Sequence, residues 1–475
     1  MALRAGTAKS IITPELGTPM GGNARLDNYA RGVLQDLYAR ALFLNDGITR
    51  ICIVSLDLLG MWQADADRLR AAVAAELGIP VGNVTMCSTH THSGPDTFQS
   101  LCWNDDKLER DGELLKPFWE MLPGRILEAA RTAQANAREC TMQWGTAENR
   151  EIANNRRLLM KTGETVMNWE LPPVEEVEGP LGPIDPRVSA VVFRADDGEM
   201  LGGFVHYPCH PAILAGANLQ MSGDFAGFAM AQLEQGFGCQ AMLFLHGAAG
   251  NVNHIDYQHP ERGRDAQEVH RCAASLAASV LEIVERINHR DTETQRQTQR
   301  SCLLSVTNHE LSLPIREIPE DQIAAAKELL AAYDGHDLSM PDGVPPELNA
   351  RRTLKLVEAN TTGRYPGKFG TMREGKIVLP LQVIRIGDVM LGTVPAEIFV
   401  EFGLSFAERI ERQQRSATQL ALLVGLANGL SNYIPTPQAF EQGGYEPGLG
   451  PSYLPKNAGN EIVDTLIEMA TTDAV

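Results

Sequence analysis

No uninterrupted apolar run in the 475 residues approaches the roughly 18 that a membrane-spanning helix requires, so an integral membrane protein is excluded. Basic residues are scarce. With 41 Lys and Arg against 60 Asp and Glu the net charge is −19, which excludes a nucleic-acid partner, because tracking phosphates needs a basic face. Acidic membrane surfaces are disfavoured on the same ground. The eight cysteines, at positions 52, 87, 102, 140, 209, 239, 272 and 302, form no CxxC pair and no dense framework, and so read as reduced, mostly buried thiols. The opening Met1 to Ser10 has no apolar core of a signal peptide. Both features point to a cytoplasmic protein. A Gly-x-Ser-x-Gly elbow, a P-loop and a dinucleotide fingerprint are all missing, which removes support from serine α/β-hydrolase and nucleotide-dependent readings. There is no internal repeat or low-complexity tract. One large domain over residues 1–475 is the simplest organisation.

What is present alternates between β-rich runs and helical patterns, the signature of an α/β protein with a mixed, mostly parallel central sheet flanked by helices. Arg50 to Leu56 is apolar on both faces, as a central strand is. Leu69, Val73 and Leu77 then recur at helical spacing until Gly78 and Pro80 stop the helix, and Asn83 to Cys87 reads as the next strand. Further strands are predicted at Val188 to Arg194, Leu201 to Tyr207, Ala241 to Leu245, Val389 to Thr393 and Gln419 to Val424. Asp265 to Ile287 carries an apolar stripe of Val269, Cys272, Leu276, Val280, Val284 and Ile287, an ordinary core helix. Residues 320–362 read as helical insertions. Glu170 to Pro186 and Leu338 to Pro346 read as surface excursions.

Polar clusters follow several of these strands, where open α/β sheets place their ligands. They are Ser88 to Pro95, Cys209 to Ala212 with Ser222 to Asp224, His246 to Asn253, Val394 to Glu397 and Asn428 to Tyr433. Imidazole with carboxylate is a ligand set for zinc. The local pattern is weak, because chance alone gives about 0.25 His-x-His pairs for 11 histidines in this length. On an extended segment His90 and His92 point to opposite sides, so one ligates and the other is left to support a ligand or to transfer a proton. Asp57 reads as a loop anchor, Cys209 as a buried small hydrophobe, and His254, His259 and His270 as solvated histidines.

The ordered set of motifs resembles the N-terminal catalytic domain of the neutral, non-lysosomal ceramidase family. The matching pieces are Ala5 to Pro14, Gly32 to Arg40, Ser55 to Asp57, Ser88-Thr-His-Thr-His-Ser-Gly-Pro95, Ser222 to Asp224, Val394 to Glu397 and Asn432 to Tyr445. The resemblance implies one zinc ion per chain held by His90, His210, Glu397 and Tyr433, with His92 beside it as a catalytic group. It likewise implies that Arg156 faces substrate, that Tyr445 stands near the scissile carbonyl, and that Asp224 and Asn253 belong to the substrate pocket. Where the family has Gly-Asp-x-Ser-Pro-Asn this chain has Gly250-Asn-Val-Asn-His254. Without that serine, direct attack by zinc-bound hydroxide is the expected route. The chain ends soon after a helix around Glu461 to Met469, leaving no room for the family's C-terminal β-sandwich. A zinc-dependent amidohydrolase acting on a soluble acylated amine rather than ceramide is therefore expected, with no membrane insertion. A lactone or ester hydrolase and a catalytically inactive metal- or ligand-binding homologue are the alternatives. A homo-oligomer is compatible with the sequence.

Overall fold

The computed structural model describes residues 2–22, 27–98, 105–216, 218–289, 303–332, 346–362, 372–373, 375–413 and 418–472. Of the sequence expectations, Cys102, Cys302 and residues 338–345 lie outside this set. Eight strands form the larger sheet, namely β1 (Arg4–Ile11), β2 (Tyr38–Asn45), β3 (Arg50–Leu56), β4 (Val84–Ser88), β5 (Arg138–Glu148), β6 (Arg187–Ala195), β7 (Met200–Tyr207) and β8 (Met242–His246). Their order is β8-β7-β6-β5-β1-β2-β3-β4. A smaller sheet places β9 (Leu304–Pro314), β10 (Lys376–Ile386), β11 (Val389–Thr393) and β12 (Leu420–Val424) side by side in that order. The helices used below are α1 (Gln63–Leu77), α2 (Asp105–Ala135), α3 (Asp224–Phe237), α4 (Ala266–His289), α5 (Glu320–Ala332), α6 (Pro346–Thr362), α7 (Val400–Gln413) and α8 (Ala458–Thr472). Helices α5 and α6 are the insertions expected at 320–362.

The fold is α/β with a mixed sheet flanked by helices, but parallel pairing does not dominate it. Only β3/β4 and β7/β8 are parallel in the larger sheet, and β11/β12 in the smaller. The remaining ladders of the larger sheet are antiparallel. Connection length explains the difference. Each parallel pair is bridged by a helix (α1, α3 or α7), as a crossover demands, whereas β2/β3 and β6/β7 are joined by tight turns. Gly47 and Gly198 stand in those turns at φ 88° and 91°, a region in which glycine carries no steric cost.

Alternation along the strands sorts the core into layers. Leu42, Leu44, Ile51, Ile53, Val191, Phe193, Leu243 and Leu245 point from the larger sheet toward Ile384, Ile386, Leu391, Leu422 and Val424 of the smaller. Their neighbours one residue on, such as Phe43, Val54, Val192 and Phe244, point the other way, under α1 and α2 on one arm and α3 and α4 on the other. The far face of the smaller sheet is covered by α7 and α8 through Phe402, Phe406, Ile462 and Leu466. Helix, sheet, sheet and helix are thus stacked on shared interiors. The larger sheet is coiled enough that its edge strand β8 also meets β3, where Ser55 Oγ donates to the Phe244 carbonyl at 2.7 Å. The ends of β4, β8 and β12 therefore come together. No helix among the described residues is long and apolar enough to cross a membrane.

Candidate metal centre and active site

The three parallel units end at one place. Past β4 the chain turns sharply, with the Thr89 and His90 amides donating to the Leu56 and Leu58 carbonyls and His90 held at φ 70°. A left-handed β-carbon-bearing residue is strained, and such strain collects at functional sites. Past β7, the His210 amide donates to Val252, and past β11 a two-residue strand pairs Glu397 in parallel with Tyr433. Gly250 lets these segments close, since a Cβ there would stand 2.4 Å from the Glu397 carbonyl oxygen.

His90 Nδ1 lies 2.7 Å from the Leu59 carbonyl and donates to it, so that in the neutral ring the lone pair sits on Nε2. That Nε2 is 3.2 Å from Glu397 Oε2, and His210 Nε2 is 3.1 Å from the same oxygen. A lone pair facing a carboxylate oxygen is repulsive unless a cation lies between them. The spacing also fits one, because two ligands bonded at about 2.0–2.1 Å to a tetrahedral ion stand about 3.3 Å apart. Ligating atoms of His90, His92 and His210 all lie within 4.8 Å of one another. These residues could hold a metal ion.

Burial shapes the charges. It pushes His210 down to about 3, helped by His90 and Arg156, and holds His92 well below its ordinary value with help from His90 and His210. Burial alone would raise Glu397, yet His90 and His210 hold it well below the usual carboxylate range. Burial and Glu397 together push the Tyr433 phenol well above its ordinary value. Neutral imidazoles around an ionised carboxylate are the protonation states that metal ligation requires.

Arg156 reaches the same point from the strand-like segment beside Asn251. Its Nη1 is 3.3 Å from His210 Nε2, and its guanidinium lies over the Tyr433 and Trp169 rings at 5.1 and 5.2 Å. Tyr445 packs against both rings, at 5.7 Å from Tyr433 and 5.6 Å from Trp169. Nη2 of Arg156 is buried without a hydrogen-bond partner. It is a donor available to a bound oxygen.

Residues 4–288 match the family model described as "Neutral/alkaline non-lysosomal ceramidase, N-terminal". The chain belongs to this family. A curated relative, the neutral ceramidase of Pseudomonas aeruginosa, is 25% identical over 94% of this chain and 68% of its own length. A crystal structure of neutral ceramidase from that organism superposes with a TM-score of 0.70 at 21% identity, covering 99% of this chain and 74% of the other. A structure titled "Ceramidase complexed with C2" gives 0.71 at 21% identity, covering 99% and 75%. These likenesses carry the fold. Membership of the ceramidase family makes the chain a ceramidase-like hydrolase acting on a non-peptide amide bond.

The structure therefore brings together His90, His92, Arg156, His210, Glu397, Tyr433 and Tyr445. It gives Asp224 and Asn253 other surroundings. Asp224 is fully buried, and its carboxylate oxygens accept from the Leu214 and Phe225 amides, an anchor for the loop after His210. The Asn253 amide is exchanged reciprocally with Asn168 at 2.7 and 3.0 Å, and its oxygen also accepts from the Ile255 amide. Local bonds, not a cavity, hold both side chains. Asp57 is the anchor expected, in a buried ion pair with Arg40 at 2.8 Å. Cys209 is buried, and His259 and His270 are exposed, whereas His254 is buried.

Two further neighbours of the site carry no sequence signature, and a third only its place past a strand end. Glu446, fully buried, holds Arg156 Nε and Arg157 Nη1 at 2.7 Å each. Trp169 stands just ahead of the predicted surface excursion. His246, at the end of β8, has its ring 5.3 Å from His90 and 5.7 Å from His210, with both nitrogens buried and unpartnered. Its position past a strand end was the one usable signal.

Proposed function

We propose that the chain is a zinc-dependent amidohydrolase that cleaves a soluble acylated amine, with one ion per chain held by His90, His210, Glu397 and Tyr433. The observation that carries this reading is the buried Nε2 of His90, its tautomer set by Leu59, facing Glu397 Oε2 at 3.2 Å. Zinc at this position supplies a water of lowered pKa and polarises a carbonyl. The protein does the rest. Arg156, fixed by Glu446, offers Nη2 to the oxygen that gains charge when a carbonyl is attacked. Tyr445 packs beside the same point, its ring 5.7 Å from that of Tyr433. His92, whose Nδ1 lies 3.1 Å from the Gly22 carbonyl and whose ring stands 5.0 Å from that of His90, is placed to accept a proton from the attacking water and pass it to the leaving amine.

A soluble substrate is favoured by the net charge of −19 and by the few guanidinium groups, already ion-paired, that stand near the site. The shared interior of the two sheets supports residues 1–475 as one unit. An ester or lactone would fit the same centre, because the donors act on the carbonyl oxygen and not on the leaving group. The test is metal content of the purified protein with a screen of acylated amines, esters and lactones before and after chelation. About one zinc per chain and amide turnover lost on chelation are expected. Far less than one ion per chain after reconstitution would sink the reading.

A further inference from the structure

Past the segment that carries Asn251 to Asn253 lies a second polar recess. It is a small cleft of about 30 Å³, open to solvent and lined by His254, Asp256, His259, Arg262, Arg264 and Glu268 among others. His254 is the unusual member. Its side chain is 6% exposed, and neither ring nitrogen has a hydrogen-bond partner. A buried imidazole left this way loses its hydration with nothing in return, a cost that native proteins rarely leave uncompensated. The acids of the wall cannot be what His254 awaits. Asp256 is taken by Arg262 at 3.2 Å, and Glu268 is held in a two-pronged pair by Arg271 at 2.6 and 2.8 Å.

The cleft adjoins the metal centre through residues already described. The Asn251 and Val252 carbonyls accept from the Arg156 and His210 amides, so His254 follows two residues after a segment that touches both. Asn168 bridges the same segment by pairing with Asn253 and donating to the Ile255 carbonyl. Trp169 touches a residue of each, its ring under the Arg156 guanidinium and its carbonyl receiving Arg264 Nη2 at 3.2 Å.

We propose that this cleft is a carboxylate subsite, in which His254 and the Arg262 and Arg264 guanidinium groups receive the negatively charged end of a substrate whose amide lies at the His90–His210–Glu397 centre. The proposal rests on the amidohydrolase reading and narrows its substrate to an acylated amine carrying a carboxylate. In a chain of net charge −19, such a substrate is repelled nearly everywhere else. The carboxylate can belong to the amine half, as in an acylated amino acid, or to the acyl half, as in the monoamide of a dicarboxylic acid.

The experiment compares three probes with zinc-loaded protein, namely N-octanoylglycine, the mono-octylamide of succinic acid and the uncharged N-octanoylethylamine. One of the two carboxylate probes is expected to exceed the neutral one at least tenfold in kcat/KM, and the winner tells which half carries the charge. That advantage should shrink to within threefold in Arg264→Ala and in His254→Ala. Arg262→Ala, at an exposed position, gives a third readout should the buried substitution fail to fold. Equal kcat/KM for all three probes, or an advantage that survives Arg264→Ala, overturns the subsite. Calorimetric binding of the same probes to metal-free protein separates the two ideas. Tight binding of a carboxylate probe that depends on Arg264, with no hydrolysis of any probe, keeps the cleft and rejects the amidohydrolase; hydrolysis without charge preference does the reverse.

Discussion

Two buried polar clusters lie in this molecule, and they are built on opposite rules. Under one arm of the larger sheet, Arg40 is held by Asp57 at 2.8 Å and Glu234 at 2.9 Å, and Lys9 adds a second cation on Glu234. Two positive charges meet two negative ones. At the strand ends, four imidazoles surround a single carboxylate, and His90 Nε2, His210 Nδ1 and both ring nitrogens of His246 have no hydrogen-bond partner among the described residues. The first cluster balances its own charges, although Arg40 Nη2 and Asp57 Oδ1 make no hydrogen bond; the second gathers several unpartnered imidazole nitrogens around one carboxylate and is completed only by something added. Burial alone therefore does not identify a functional site, whereas ligating atoms left unpartnered around one point do.

The sharpest break of this comparison is a pair of substitutions measured in metal-free protein and again after zinc loading. Arg40→Leu leaves two buried carboxylates without their shared cation and should cost about 3–5 kcal/mol in chemical unfolding. His210→Ala removes an imidazole whose Nδ1 has no partner, so lost packing is offset by relief of a desolvated group. It should shift metal-free stability by only about 1–2 kcal/mol while abolishing zinc binding and amide turnover. A His210→Ala protein as damaged as Arg40→Leu would make the histidine cluster structural, and one that keeps its zinc would remove His210 from the ligand set.

Glu446 stands between the two kinds of cluster, since it is a paired buried charge that also fixes a site residue. Its carboxylate spans Arg156 and Arg157, and Arg157 Nη2 is further held by the Gly443 carbonyl. Burial opposes the charge on Arg156, but Tyr433 and Glu446 keep its guanidinium fully protonated. Glu446→Gln keeps the shape and weakens the hold. A fall of about 10–100-fold in kcat is expected, roughly 1.4–2.7 kcal/mol of transition-state stabilisation, with zinc content unchanged and KM moved less than kcat. Partial recovery in Glu446→Asp would mark positioning. An unchanged kcat with lowered stability would make Glu446 purely structural.

Strand existence was legible because β3, β4, β7, β8, β11 and β12 are short apolar runs bounded by turn residues, and their polar ends told where the site lies. Pairing direction was not legible from those runs. Asp46-Gly47 and Asp197-Gly198, both turn signals, mark the antiparallel joins, yet the alternation of strands with helical patterns suggests a mostly parallel sheet. The ligand candidates His90, His210, Glu397 and Tyr433 came from ordered motifs, since each single pattern is near chance. Glu446 and Trp169 stayed hidden because their importance lies in contacts made across 289 and 13 residues of chain, to Arg157 and Arg156, with no local spacing to betray them. His254 was misread as solvated because its loop composition is polar, while the residue itself tucks behind Asn154, whose amide reaches its carbonyl.

Asp224 offers the finest test, because it is a single uncompensated charge in a region where backbone amides do all the holding. Burial pushes its carboxyl up to about 6 from 3.8, against the Leu214 and Phe225 amides, which act to lower it. A folded pKa above the unfolded one means that the native state binds the extra proton, so the group's contribution to stability is fully present below about pH 4 and is lost as pH rises through about 6. The shift of about two pKa units corresponds to roughly 3 kcal/mol at most. Asp224→Asn cannot ionise and also gives up one acceptor, at about 1–2 kcal/mol. The variant should therefore be less stable than the parent at pH 4.5 and should draw level with it or pass it at pH 7. Chemical unfolding at the two pH values measures this directly. A stability difference that stays constant, or that widens against the variant as pH rises, would show that the Asp224 carboxylate is stabilised as an anion and that the loop after His210 is closed by charge, as the Arg40 cluster is.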